Sequence, residues 1–380
     1  MENAEPYKIH ILFIIDGMEF GGGERVFAQI INGLPEDRYE AFLATASNDT
    51  FQKAITASNV SFFPIDFSNR YNLANLMKLI RIIKKHRIDI VHGQGARAEF
   101  YARLAAGFSG RKTYVSTVAV PVEGYDVGPL KRFLYKAFDR FSEGYVNRFI
   151  VVSDSLVKTM VHEHGVARKK VIKIYNGIET DIYQPSDQSA NRHRIREEFG
   201  VADKEMLIGA IGRLAWPKGF EFFIQAIPDI IQTLPNGRFL LVGDGTLCRD
   251  LETLARALNL QNHLLFAGQR TDIRDILAAL DIVVVPSIQE GFPMITLEAM
   301  AMEKPIVTTA IDGIMEQITD GKEGLLVEPK NPPALAKAIK RLVDDPDYAR
   351  SLGINARAKV VRDFSVRKMI TETIRVYETL

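Results

Sequence analysis

The sequence predicts an α/β protein made of two doubly wound, Rossmann-like domains facing each other across a cleft. Three observations carry this. The chain has 380 residues, too many for one ordinary hydrophobic core and suited to two domains of roughly 150–200 residues each. Short β-branched runs alternate with helical apolar periodicity from end to end, the pattern of parallel strands joined by crossover helices. The alternation then restarts after a polar, aperiodic stretch, residues 184 to 191, which reads as a linker. The expected domains are residues 1–183, completed by a C-terminal helix over 365–380, and residues 184–364.

In the first domain, strands are expected at Ile9–Ile15, Ala41–Ala44, Ile90–His92, Thr113–Val118 and Phe149–Val152. A helix beginning near Gly23-Glu24-Arg25 follows the first strand and carries Val26, Phe27, Ile30 and Ile31. Another, Leu73–Lys85, repeats Leu73, Leu76, Leu79, Ile80 and Ile83 at helical spacing with basic residues between them. In the second domain the expected strands are Leu207–Gly212, Phe239–Gly243, Leu264–Ala267, Ile282–Pro286 and Ile306–Thr308. Open parallel sheets bind ligands beyond the carboxyl ends of their strands, so a cleft there is the expected site.

Composition narrows the function. The 48 basic and 47 acidic residues nearly cancel, which speaks against a dedicated nucleic-acid binder. A single cysteine, Cys248, excludes a disulfide framework and Cys-rich zinc sites and fits a reducing cytosol. No run of about 18 apolar residues marks a membrane-spanning helix. The first residues, Met1 to Pro6, are acidic and polar, unlike a signal peptide. The expected location is the cytoplasm.

Three segments carry candidate chemistry. In Glu290-Gly291-Phe292-Pro293-Met294-Ile295-Thr296-Leu297-Glu298, Pro293 suits the first position of a helix. The amides of Met294, Ile295 and Thr296 would then point out of the helix and favour an anion such as a phosphate. Two carboxylates beside such a site suit a ligand with both hydroxyls and phosphates, as in a sugar nucleotide. Gly21-Gly22-Gly23, ahead of the first helix, is either a tight turn or a loop whose amides approach an anion. It matches neither nucleotide-binding glycine fingerprint. Between Gly212 and Gly219, Arg213 and Lys218 are either solvated surface residues or two fixed cations able to neutralise a diphosphate leaving group. No Asp-x-Asp at a strand end and no His/Cys cluster suggests a metal site.

In order and spacing, these segments resemble the retaining family-4 glycosyltransferases, whose architecture is the GT-B fold. The resemblance runs from Gly21-Gly22-Gly23-Glu24-Arg25 through Val151-Val152-Ser153, Tyr175-Asn176-Gly177-Ile178 and Gly212-Arg213…Lys218-Gly219. It continues with Val242-Gly243-Asp244-Gly245, Phe266-Ala267-Gly268, Pro286-Ser287, the Glu290–Glu298 pair, Gly313-Ile314-Met315-Glu316 and Gly324-Leu325-Leu326-Val327. It implies an acceptor-binding first domain and a nucleotide-sugar-binding second one. By the same resemblance Glu298 holds the ribose hydroxyls and Glu290 the donor sugar. Arg213 and Lys218 hold the diphosphate with help from Gly22 and neighbouring amides, and Arg270 lies where the base is held through backbone atoms. Arg213, Lys218 and Glu290 are then the catalytic candidates. The implied reaction moves a sugar from a UDP- or GDP-sugar to a hydroxyl of a glycan or lipid-linked acceptor, with no metal or other cofactor, in cell-surface polysaccharide or glycolipid synthesis. Rival readings are a sugar-nucleotide epimerase and a sugar-nucleotide-binding protein without transferase activity.

The chain departs from its resemblance in two places. Ala119 stands where relatives carry the histidine of a Thr-x-His pattern, and Gln94 replaces the second histidine of a His-x-His-Gly pattern. His92 and Glu123 are the acceptor-side candidates, and Asp16 and Asp126 are further carboxylate candidates. Leu130–Phe141 places Leu130, Phe133, Leu134, Ala137, Phe138 and Phe141 on one helical face, flanked by Lys131, Arg132, Lys136 and Arg140. Such a helix packs into a core or rests on an anionic membrane surface. Lys78, Arg81, Lys84, Lys85 and Arg87 extend the basic surface, and peripheral attachment to the inner membrane face is the corresponding expectation.

Overall fold

A computed structural model of the chain describes residues 7–18, 20–69, 72–110, 113–119, 143–185 and 189–380. Glu123, Asp126 and the expected helix over 130–141 lie outside the described residues. The chain divides into two compact units, Met1–Gly177 with Val366–Leu380, and Ile178–Ser365. The expected border after residue 183 falls six residues late. The Ile178 amide donates to the Phe364 carbonyl at 2.9 Å, and the Tyr183 hydroxyl donates to Glu298 Oε1 at 3.0 Å, which ties 178–183 to the second unit. The last residues of the expected linker are already helical, in Ser189–Glu198.

Among the described residues the first unit holds a parallel sheet of seven strands. These are β1 (Ile9–Ile15), β2 (Tyr39–Thr45), β3 (Val60–Pro64), β4 (Ile90–Gln94), β5 (Tyr114–Val118), β6 (Arg148–Val151) and β7 (Val171–Lys173), in the order β3-β2-β1-β4-β5-β6-β7. The edge strands β3 and β7 were not expected. One ends in a proline and the other has three residues, so neither shows a strand period. Helix Gly22–Asn32 buries Val26, Phe27, Ile30 and Ile31 as its spacing predicts. Helix Leu73–Lys85 buries Leu79, Ile82 and Ile83, while Leu73, expected on that face, is 73% exposed at the first turn.

Helix Val366–Glu378 belongs to the first unit. A Cβ on Gly33 would lie 2.3 Å from Ile370 Cδ1, so the absence of a side chain at residue 33 lets Ile370 of this helix pack against the end of Gly22–Asn32. Tyr377 brings its hydroxyl 2.7 Å from His92 Nδ1, and Thr117 Oγ1 lies 2.7 Å from Nε2. The ring is fully enclosed and packs between Phe13 and Phe27. His92 is therefore a core residue joining β4, β5 and the last helix, which corrects its acceptor-side assignment: both ring nitrogens are engaged and no ring atom faces a ligand.

In the second unit six parallel strands, β8 (Leu207–Ile211), β9 (Arg238–Val242), β10 (Leu264–Gly268), β11 (Ile282–Val285), β12 (Ile306–Thr309) and β13 (Leu325–Val327), run in the order β10-β9-β8-β11-β12-β13. Helix Phe220–Ile231 covers the sheet with Phe223, Ile224, Ile227 and Ile230, all buried. Both sheets reverse their winding at one pair of neighbours, β1/β4 and β8/β11, and carboxyl ends at such a reversal form ligand crevices.

Burial without a counter-charge lowers the His92 pKa to about 3. An unfolded histidine titrates near 6.5, so between about pH 6.5 and 3 the unfolded chain binds the extra proton and the folded chain does not. This stabilisation is complete above the unfolded value and is lost as pH falls through that window. In denaturant titrations the loss from pH 7 to pH 5 should be about 2 kcal/mol larger in the native chain than in His92→Gln. An equal loss in both would contradict the buried, neutral imidazole.

Candidate functional site

At the reversal of the second sheet, β8 runs into residues 212–219 and β11 into residues 286–293. The two loops are joined by backbone. The Ile288 and Gln289 amides both donate to the Pro217 carbonyl, at 2.8 and 3.2 Å, and the Leu214 amide donates to the Asp244 carbonyl after β9 at 2.8 Å. Gly219 sits at φ +62°, and a Cβ there would lie 2.2 Å from the Pro286 carbonyl oxygen. A Cβ on Gly313 would lie 1.9 Å from the Gly291 carbonyl oxygen. Only glycine tolerates either approach. Thr309 Oγ1 donates to the Ser287 carbonyl at 2.5 Å and holds the second loop from β12.

This framework brings Lys218 and Glu290 together, with Nζ 2.5 Å from Oε1. Ser287 Oγ donates to the same carboxylate oxygen at 2.9 Å. Glu290 is thus held by one cation and one hydroxyl, and Lys218 remains partly open to solvent. Arg213 is exposed on the same loop as Lys218. The positioning role of Ser287 was not drawn from the sequence, although it stands three residues before the carboxylate it holds.

The helix that follows is Met294–Ala301, with Pro293 at its N-cap (φ −68°, ψ 132°) and not at its first position. The amides of Met294, Ile295 and Thr296 form the opening turn, the group that an anion at a helix start uses. The Pro293 carbonyl accepts from Gln317 Nε2 at 3.0 Å, and the Phe292 ring meets Phe364 edge-on at 5.3 Å. Both contacts pin the entry to the helix. Thr296 is buried and its Oγ1 has no hydrogen-bond partner.

Glu298 is 3% exposed. Its carboxylate accepts from the Tyr183 hydroxyl, and the Tyr183 carbonyl accepts from Arg357 Nη1 at 2.8 Å. Tyr183 lies 115 residues away in sequence and gave no sign of this role, because the polar stretch beside it reads as a linker. The Arg270 side chain is committed to an ion-pair network. Its Nε and Nη2 donate to Asp272 at 2.9 and 2.8 Å, and Nη2 donates to Glu198 Oε2 at 3.0 Å. The guanidinium holds Asp272 down to about 2. Arg270 thereby ties helix Ser189–Glu198 to the loop after β10, and this leaves only its backbone for a ligand.

In the first unit, Gly21 is the N-cap of helix Gly22–Asn32, and its amide donates to Glu24 Oε2 at 3.0 Å. Burial raises the Glu24 pKa above the usual carboxylate range. The first amide of the triple-glycine turn is therefore taken by the chain's own carboxylate, and Gly22 and Gly23 supply the next ones. Asp16 Oδ2 pairs with Arg97 Nε at 2.9 Å. Ala119, just past β5, offers a half-buried methyl group.

Comparison with known proteins follows this layout. The family model for glycosyltransferase family 4 matches residues 20–182, and that for the glycosyl transferases group 1 matches residues 191–359. The UDP-Gal:alpha-D-GlcNAc-diphosphoundecaprenol alpha-1,3-galactosyltransferase of Escherichia coli is 28% identical over 94% of this chain and 93% of its own length. The N-acetyl-alpha-D-glucosaminyl L-malate synthase of Bacillus anthracis is 27% identical over 82% of this chain and 78% of its own. Among solved structures, Anabaena HepE in complex with UDP-glucose superposes with a TM-score of 0.85 at 22% identity, covering 98% of this chain and all of that one. That last likeness concerns the fold.

Gly313→Ala should force the Gly291 carbonyl away and cost about 1–3 kcal/mol of stability in the second unit, as overpacking does. Chemical denaturation measures this. A variant as stable as the native chain would show that the Glu290 loop yields freely.

Proposed function

The chain belongs to the family-4 glycosyltransferases of GT-B fold and is a glycosyltransferase, and from that premise we propose that it transfers a sugar from a UDP-sugar, with retention of configuration, to a hydroxyl of a lipid-linked or polysaccharide acceptor. The observation that carries this reading is the Lys218–Glu290 pair at the β8/β11 reversal, beside the opening amides of Met294–Ala301. A diphosphate arriving there meets Lys218, Arg213 and the helix amides, and Glu290 turns to the sugar hydroxyls. Glu298, set by Tyr183, takes the ribose hydroxyls. UDP is favoured over GDP by the donor in the E. coli enzyme's name and the ligand of the Anabaena complex.

In the proposed reaction the bond from the anomeric carbon to the diphosphate oxygen breaks, and the bond to the acceptor oxygen forms on the same face. The departing diphosphate oxygen takes the acceptor proton. Such a route asks for positioning and for stabilisation of the leaving charge, with no protein base, and Ala119 is compatible with it. Arg213 and Lys218 supply the positive charge without a metal or other cofactor.

The assay is release of UDP that depends on an added acceptor. Conversion of the donor without acceptor would support an epimerase, and nucleotide binding without turnover would support a binding protein. Trp216, the chain's single tryptophan, is exposed on the Lys218 loop, so its fluorescence reports UDP binding. Glu298→Ala should weaken UDP by about 1.5–3 kcal/mol for each charge-assisted hydrogen bond lost. Lys218→Ala should lower kcat with little change in folding stability. Unchanged UDP affinity in the first, or full turnover in the second, removes that residue from its role.

The acceptor named for the E. coli relative is lipid-linked, and an enzyme that uses such an acceptor works at a membrane surface, which supports peripheral attachment here. No helix among the described residues is long and apolar enough to cross a membrane. Helix Leu73–Lys85 exposes Leu73 and Met77 at its start and Arg81, Lys84 and Lys85 beyond them, with Arg87 just past its end. This surface suits peripheral attachment to anionic lipid. Vesicles rich in anionic lipid should sediment the protein at low salt and release it at high salt. No sedimentation at low salt would eliminate the attachment.

A further inference from the structure

We propose that Gln94 reads a sugar hydroxyl at the glycine-rich turn of the first unit and sets which sugar the enzyme accepts; this rests on the transferase reading above. Gln94 is the last residue of β4 and stands in register with Ile15, the last residue of β1. These strands flank the reversal of the first sheet, where ligands collect beyond the carboxyl ends. Its side chain lies over the opening turn of helix Gly22–Asn32. A Cβ on Gly23 would be 2.7 Å from Gln94 Nε2 and 3.6 Å from Cδ. The carboxamide occupies the room that Gly23 leaves, next to the turn's amides.

The second observation concerns hydrogen bonding. Gln94 is 7% exposed, and its Oε1 is buried with no partner. Buried polar atoms are nearly always paired, so an exception calls for a cause. The neighbouring polar groups are engaged with one another: Glu24 with the Gly21 amide, Asp16 with Arg97, and Thr117 Oγ1 with His92. Beyond β5, the strand beside β4, Ala119 presents only a methyl group. Among the described residues the Gln94 carboxamide is a side chain at this edge whose hydrogen-bonding capacity is not used up.

The chemistry of that group selects its ligand. A carboxamide both donates and accepts, and its terminal torsion is soft and roughly two-fold, so half a turn exchanges oxygen and nitrogen. A phosphate only accepts; it would use the NH2 and leave Oε1 unpaired. A hydroxyl both donates and accepts and can answer either atom. Sugar hydroxyls are supplied by donor and acceptor alike, and the two sources separate experimentally.

The test uses the full chain with the donor and acceptor that support turnover, beginning with UDP-galactose and a lipid-linked N-acetylglucosaminyl diphosphate, and compares each with its series of monodeoxy forms. One deoxygenation should lower kcat/KM of the native chain by about tenfold or more, the worth of a good hydrogen bond. The same deoxygenation should make no difference to Gln94→Met, which keeps the length and loses both hydrogen-bonding atoms. A loss confined to deoxy donors assigns the donor sugar, and a loss confined to deoxy acceptors assigns the acceptor. Affinity for UDP alone, read from Trp216 fluorescence, should be unchanged in Gln94→Met. Tolerance of every deoxygenation by the native chain, an equal loss in native and variant, or weakened UDP binding by a folded variant each overturns the proposal. The deoxy series on the native chain stands whether or not the variant folds. Absence of acceptor-dependent turnover in the native chain is a different result, and it overturns the transferase reading itself.

Discussion

The site of the second unit depends on backbone lying against backbone. Gly219 against Pro286 and Gly313 against Gly291 are approaches that no side chain permits. The first presses the loop after β8 against the loop after β11, and the second seats the latter against the helix that follows β12. Once those loops are joined, Lys218 and Glu290 meet, Ser287 reaches the same carboxylate, and the opening amides of Met294–Ala301 stand at their side. Preorganised groups of this kind need little rearrangement when charge develops on a leaving group.

The first unit treats its polar groups differently. Its most deeply buried imidazole, His92, is held neutral by its surroundings and joins the last helix to the sheet. Its glycine-rich turn is capped from within by Glu24. Among the described residues, the Gln94 carboxamide keeps unused hydrogen-bonding capacity at the β1/β4 reversal.

Much of the fold was legible because hydrophobic periodicity is local. β1 and helix Leu73–Lys85 occur where their spacing predicts, and the other expected strands agree to within a residue or two. The strands without a period of their own, β3, β7 and β13, were invisible, since their edge positions come from pairing with β2, β6 and β12. The motif from Glu290 to Glu298 was legible for the same local reason, a strand end, a proline and a helix start. The local sequence left His92 open between a structural and a ligand-facing role, because a strand end gives no measure of burial.

By itself the sequence determined the α/β class, the two-domain organisation, the family and the segments that carry chemistry, because these rest on local periodicity, on chain length and on the order and spacing of short motifs along the chain. Only the tertiary structure decided which side chains keep company. It paired Lys218 with Glu290 across 72 residues and Tyr183 with Glu298 across 115, and it brought Tyr377 to His92 across 285. It also committed Arg270 to Glu198 and Asp272 and left Gln94 Oε1 unpaired. The physical reason is that burial and hydrogen-bond partnership are set by the packing of distant elements, and no local pattern of residues encodes them.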